Sequence, residues 1–184
     1  MEYFAIQVWT GHEKDLVQAL DKIKQPEDTW QIFAPSRIIP LRKHGKIKRT
    51  ELVIFSGYVF MGIDGASMPH DLRWSLRTAN YFVRILPDTA NPSPIKTQDR
   101  RILAHFMSLR KPADTSKVIF DENDRIVIVE GALKGLEGMI VKIDKRKGRA
   151  KVKLTMCENS FLVDLAFEVL TRAAKGTESE HVHS

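Results

Sequence analysis

The chain has 184 residues, 43% of them hydrophobic, a formal net charge of +6 and a single cysteine, Cys157. That length holds one medium domain or two small ones, and the apolar content excludes a disordered chain. No apolar run approaches the roughly 20 residues of a membrane helix, the first residues lack the pattern of a secretory leader, and one cysteine excludes an internal disulfide. A cytoplasmic monomer without membrane contact is expected. The charge is uneven: residues 1–111 hold 17 Lys/Arg against 11 Asp/Glu, whereas residues 112–184 hold 12 of each. The basic excess therefore belongs to the first part of the chain, where it favours polyanionic partners.

In chain order, residues 3–9 alternate Phe4, Ile6 and Val8 on one face, as a half-buried strand does. Thr10 three residues before Glu13 is a capping-box spacing, and Leu16, Ala19, Leu20 and Ile23 follow at helical spacing until Pro26. Residues 30–34 read as a second strand. Residues 38–41 and 52–55 flank a polar tip, residues 42–49, as a long hairpin turning near Gly45. Residues 58–63 read as a strand. Ser67 is placed to cap a helix with Pro69 in its first turn and Leu72 and Leu76 on one face. Residues 82–86 form another strand, and Thr97 is placed to cap a helix carrying Ile102, Leu103 and Phe106. The order β-α-β-β-β-α-β with an added helix is close to a split βαβ, ferredoxin-like arrangement. Residues 109–123 break the periodicity and read as a linker.

From residue 124 the pattern changes. Two β-branched runs flank a loop with Gly131, Gly135 and Gly138, which suit a tightly bent connection. Three short apolar runs follow, residues 150–154, 161–165 and 167–170. Five short strands at this spacing predict a small closed β-barrel over residues 124–172. Residues 173–184 are polar and are expected to be a disordered tail.

Val129, Gly131, Gly135, Gly138, Ile140, Ile143 and Asp144 match the KOW motif, and the barrel resembles that RNA- and protein-binding module. The opening Val8, Trp9, Thr10, Gly11, His12, Glu13, the segment Phe55, Ser56, Gly57, Tyr58, Val59, Phe60, and Leu72 with Leu76 and Arg77 resemble the NGN domain. Together the order resembles the NusG family of transcription elongation factors. The resemblance implies an α+β chain: an NGN domain over residues 1–108, a linker over 109–123, and a five-stranded KOW domain over 124–172. It also implies docking on the clamp region of RNA polymerase through Trp9, Phe55, Ser56, Gly57 and Tyr58, and a protein partner for the KOW domain. The chain departs from the family's pattern in three places. Ser56 replaces a proline. Cys157 takes the place of a partner-docking phenylalanine, with Phe161 as its candidate substitute. Thr78 and Ala79 replace an Asn-Thr pair that contacts displaced DNA. These departures resemble a specialised paralogue of the operon-specific antiterminators, LoaP-like before RfaH-like. An RfaH-like switch would require the C-terminal domain to be helical, against its period-two pattern.

Arg42, Lys43, Lys46, Lys48 and Arg49 place five cations in eight residues. Two readings stand: a solvated tip, or a phosphate contact to an RNA hairpin or the non-template DNA strand, extended by Arg73 and Arg77. The run from Lys142 to Lys153 reads first as a solvated face. No P-loop, nucleophile elbow or metal motif is present, so neither catalysis, cofactor nor metal is expected. The function implied is processive antitermination at specific operons. A housekeeping NusG-type factor, or a ribosome- or RNA-binding KOW module, are the alternatives.

Overall fold

Strand alternation sorts the N-terminal half into two layers. The structure is a computed structural model describing residues 1–65, 67–109 and 112–170, the side chain of Lys43 excepted. The tail expected to be disordered, residues 173–184, lies outside the described residues. The first strands and helix are β1 (Glu2–Val8), α1 (Glu13–Ile23), β2 (Gln31–Phe33), β3 (Ser36–Lys43), β4 (Lys46–Val53) and β5 (Tyr58–Ile63). They are followed by α2 (His70–Thr78), β6 (Phe82–Ile85) and α3 (Thr97–Ser108). The sheet order is β2-β5-β1-β6. β5 lies between β1 and β2 and runs antiparallel to both, which is the split βαβ arrangement. Phe4, Ile6 and Val8 of β1 and Val59, Met61 and Ile63 of β5 face Leu16 and Leu20 of α1 and Leu72 and Leu76 of α2. The alternate residues Ala5, Tyr58 and Phe60 face the other way, towards Leu103 and Phe106 of α3.

None of the three expected hydroxyl caps forms. The residues before the helices are His12, Pro69 and Lys96, and none makes a side-chain cap bond. Glu13 opens α1 as its first residue rather than its third, and its carboxylate accepts from the Gly11 amide at 3.1 and 3.0 Å, so the expected capping box does not form. The hairpin also differs from expectation. β3 and β4 pair from Ser36 and Val53 out to Lys43 and Lys46, so the cationic tip is ladder and only His44 and Gly45 form the turn.

The C-terminal half comprises β7 (Ser116–Phe120), β8 (Ile126–Glu130), a single 3-10 turn (Glu137–Met139), β9 (Ile140–Asp144), β10 (Arg149–Met156) and β11 (Asn159–Val169). Three expectations are corrected. The stretch 109–123 contains a strand, β7. Residues 161–165 and 167–170 belong to one strand, β11. The ladders run β8-β7-β11-β10-β9 and, among the described residues, β8 and β9 do not pair, so the sheet is open rather than a closed barrel. β11 accounts for the last two points: it pairs antiparallel with β10 as far as Ala166, then parallel with β7 from Phe167. Ala132, Leu133 and Leu136 of the loop are buried in the same apolar cluster as Val118, Val152 and Leu165. Gly131 has φ +103° and a Cβ there would lie 2.6 Å from the Ser116 Cα; only glycine allows that approach. Gly138 has open space around it.

The two halves share one apolar cluster. Phe55, Tyr58, Leu103 and Phe106 join Leu154, Met156 and Val163 across the junction. Ala113 ties the connecting segment to β3: its N–H donates to the Ser36 carbonyl and its carbonyl accepts from the Ile38 N–H, both at 2.8 Å.

Candidate functional site

The segment from Phe55 to Tyr58 is a tight turn into β5, and Glu13 fixes it. The Glu13 carboxylate, 2% exposed, accepts from the Gly57 N–H at 2.6 Å, and the Gly57 carbonyl accepts from the Val8 N–H at 2.9 Å. Gly57 has φ +83°, a conformation that penalises a side chain. This clamp holds Ser56 exposed at the apex and turns Phe55 and Tyr58 to one side.

Phe55 and Tyr58 are buried, at 1% and 8% exposure. Phe55 packs edge-on to Phe60 and Phe106, and its remaining face is covered by Phe161 of β11, with ring centroids 5.3 Å apart. Phe161 also stands edge-on to Tyr58 at 5.7 Å. The Tyr58 hydroxyl accepts from Asn159 Nδ2 at 3.1 Å, and burial pushes its pKa up, assisted by the neighbouring Cys157. Lys96 and Glu158 close the rim with an ion pair at 2.5 Å. Of the residues expected to dock a partner, Phe55 and Tyr58 are therefore roofed by the C-terminal sheet, whereas Ser56 and Trp9 are exposed. Cys157 lies beneath that rim, in a cleft of about 410 Å³ with Arg84, Leu86 and Asp99. Burial, then the Asp99 and Glu158 carboxylates, push its thiol up to about 12, which leaves it un-ionised and unreactive.

Trp9 stands apart from this patch. It is 62% exposed and leans on Tyr81 at 6.0 Å, while the His12 ring stacks on Tyr81 at 3.8 Å.

The cations divide similarly. Arg42, Lys46 and Lys48 are exposed along the hairpin; the Lys43 side chain lies outside the described residues. Arg49 is engaged by Asp114 at 2.5 Å. Arg73 and Arg77 do not extend the hairpin: they line a small cleft with His70, Trp74 and Thr89, and Arg73 donates to the Ala90 carbonyl at 3.0 Å. Asp144 ends β9 as a turn residue, accepting from the Lys147 N–H at 3.0 Å; that bond holds its carboxyl below the ordinary range. Sequence reasoning missed Asn159 and the double role of Glu13. The Glu13 spacing was a signal, but it pointed only to a local cap. Among the described residues no group of His, Cys, Asp and Glu is placed to hold a metal ion, and no helix is long and apolar enough to cross a membrane.

The chain is thus an α+β protein in which a split βαβ half and a β-rich half join over a covered aromatic patch. A sequence profile described as "Transcription termination factor nusG" matches residues 1–104. The chain belongs to the NusG family, a family of transcription termination and antitermination factors. It is 24% identical over 182 residues to the transcription termination/antitermination protein NusG of Thermus thermophilus, covering 94% of this chain and 99% of that one. It is 22% identical over 170 residues to that of Campylobacter jejuni, covering 90% and 94%. A solved structure titled "Domain interaction in Thermotoga maritima NusG" shares the fold, with a TM-score of 0.52, 21% identity and coverage of 90% and 93%.

Proposed function

We propose that the protein is a transcription elongation factor specialised for processive antitermination, resembling LoaP. In this reading residues 1–108 are an NGN domain that docks on the clamp region of RNA polymerase and suppresses pausing or termination. The C-terminal sheet is a KOW domain that recruits a further partner. Arg42, Lys46 and Lys48 take the operon's nucleic-acid signal, an RNA hairpin or the non-template DNA strand. The factor acts by binding the elongating state more tightly than the paused one, which shifts the population towards elongation.

The observation that supports this reading is the second face of the N-terminal sheet. Its helices α1 and α2 cover only one side. On the other, Phe55 and Tyr58 present an aromatic patch that Phe161 and Asn159 cover from a separate unit. Interfaces between units of one chain resemble transient protein interfaces, so such a patch is available to a competing partner once the cover lifts. Polymerase docking through it requires that movement.

Transcription of a template carrying the protein's own operon leader and a terminator tests the function: added protein should raise read-through, and unchanged read-through would sink it. Phe161→Ala removes most of the cover. Losing one aromatic contact of about 1–3 kcal/mol should raise polymerase affinity by roughly five- to 150-fold where the closed form dominates. A general NusG-type factor is the second reading, favoured by relatives of that name spanning nearly the whole chain. It predicts equal effects on unrelated leaders.

A further inference from the structure

The hairpin cations do not stand alone. β3 runs against β11, and the turn between β9 and β10 rises beside the hairpin. Between them lies a trough of about 500 Å³ whose floor is Pro40, Leu41 and Ile47 and whose rim is Arg42, Arg146 and Lys147. Ile47 is 72% exposed. Arg149 closes one end, donating to the Pro40 carbonyl. Of the rim cations, Lys147 is paired with Asp144 at 3.8 Å. The Nε groups of Arg37 and Arg149 are both buried without a partner. The nearby Asp164 is already paired with Lys151 at 3.0 Å. Arg42 and Arg146 have no carboxylate partner among the described residues.

We propose that this trough, built half from each unit, binds single-stranded RNA. The rim supplies cations for phosphates, and the apolar floor suits unstacked bases, which a duplex would keep hidden. Single-stranded RNA is also the product of the process in which this family acts. Because both units contribute, bound RNA and the closed arrangement stabilise each other, by reciprocity of coupling. Unstructured RNA then opposes polymerase docking. This last consequence rests on the reading of Phe55 and Tyr58 given above; the binding site itself does not.

Fluorescence anisotropy of a labelled oligouridine of roughly twelve nucleotides, bound to the full chain over a salt series, tests it. Arg146→Ser with Lys147→Ser, both exposed turn positions, should weaken binding by about tenfold and flatten the salt slope by roughly 1.4. Phe161→Ala and Lys96→Glu, which loosen the closed arrangement without touching the trough, should weaken it too. Lys96 is a surface residue, so that variant serves even where Phe161→Ala misfolds. Binding lost with Lys46→Ser and Lys48→Ser but kept with the turn variants would mean that the hairpin alone binds, overturning the composite site. Equal affinity for a duplex, or higher affinity for the DNA oligomer, would overturn the single-stranded RNA assignment, as would no binding at all. Read-through and polymerase affinity are measured separately, so the proposed function can fail or stand independently of this result.

Discussion

Glu13 serves two segments at once: one carboxylate holds the Gly11 amide at the start of α1 and the Gly57 amide in the turn to β5. Glu13→Gln keeps the shape and leaves Oε1 able to accept from both amides, but it removes the charge that strengthens those bonds and turns an NH2 towards the Gly11 N–H. A loss of about 1–3 kcal/mol is expected in denaturant unfolding, with Gly57 and Tyr58 amides exchanging faster. Gly131 makes the complementary point. A Cβ there meets the Ser116 backbone at positive φ, so Gly131→Ala should cost about 2–4 kcal/mol. Gly138→Ala, with open space, should stay within about 0.5 kcal/mol of wild type. The sequence presented these glycines as equivalent members of one motif. Their difference lies in what approaches them from β7, fifteen or more residues away, which local spacing does not encode.

At the scale of elements, the hairpin shows where patterning fails. Arg42 to Arg49 carry no period-two hydrophobic signal, because the outer half of β3 and β4 is exposed. The residues still pair, since a two-residue turn fixes the register. β7 was hidden for a related reason: it is short and follows Pro112, Asp114 and Thr115. β11 was divided in two because Leu165, Ala166 and Phe167 are all buried, a break in alternation where the strand passes from one partner to the other. By contrast β1, β5 and the apolar stripes of α1 and α2 were legible, being governed by neighbours on one face. Two carboxylates tether the hairpin. The Ser36 hydroxyl, then Lys14, holds Glu51 below its ordinary pKa. At Asp114 burial pushes upward, but the Thr115 amide and the Arg49 guanidinium outweigh it and the pKa falls. Depressed carboxylates contribute stability that is fully present above the ordinary values near pH 4 and is lost as pH falls through the lowered ones. Both are well exposed, so the contribution is below about 1 kcal/mol. Amide exchange in β3 and β4, corrected for intrinsic rates, should rise in acid. Glu51→Gln should remove part of that rise, and an unchanged profile would assign no role to the tether.

For the whole molecule, the packing of the two halves was the least legible feature. An aromatic such as Phe55 or Tyr58 reads the same in sequence whether it lies in a core, under a neighbouring unit or on a docking surface. Its burial here depends on Phe161, more than a hundred residues away. The sequence left core burial and docking open for Phe55 and Tyr58, and the structure shows both buried beneath Phe161. Cys157 offers a direct measure of whether the cover lifts. Its thiol is pushed up to about 12 chiefly by burial at the junction, so at pH 8 almost none is thiolate. If the halves separate, the thiol returns towards its free value near 8.5, and each unit of that return is tenfold in thiolate. Alkylation of Cys157 by iodoacetamide should therefore be slow in the isolated protein. It should accelerate by at least about tenfold in Phe161→Ala and on adding RNA polymerase. Oligouridine should restore the slow rate if single-stranded RNA holds the closed arrangement. An alkylation rate indifferent to polymerase, in a preparation shown to bind it, would mean that docking leaves the two halves together and uses another surface, with exposed Trp9 the first place to look.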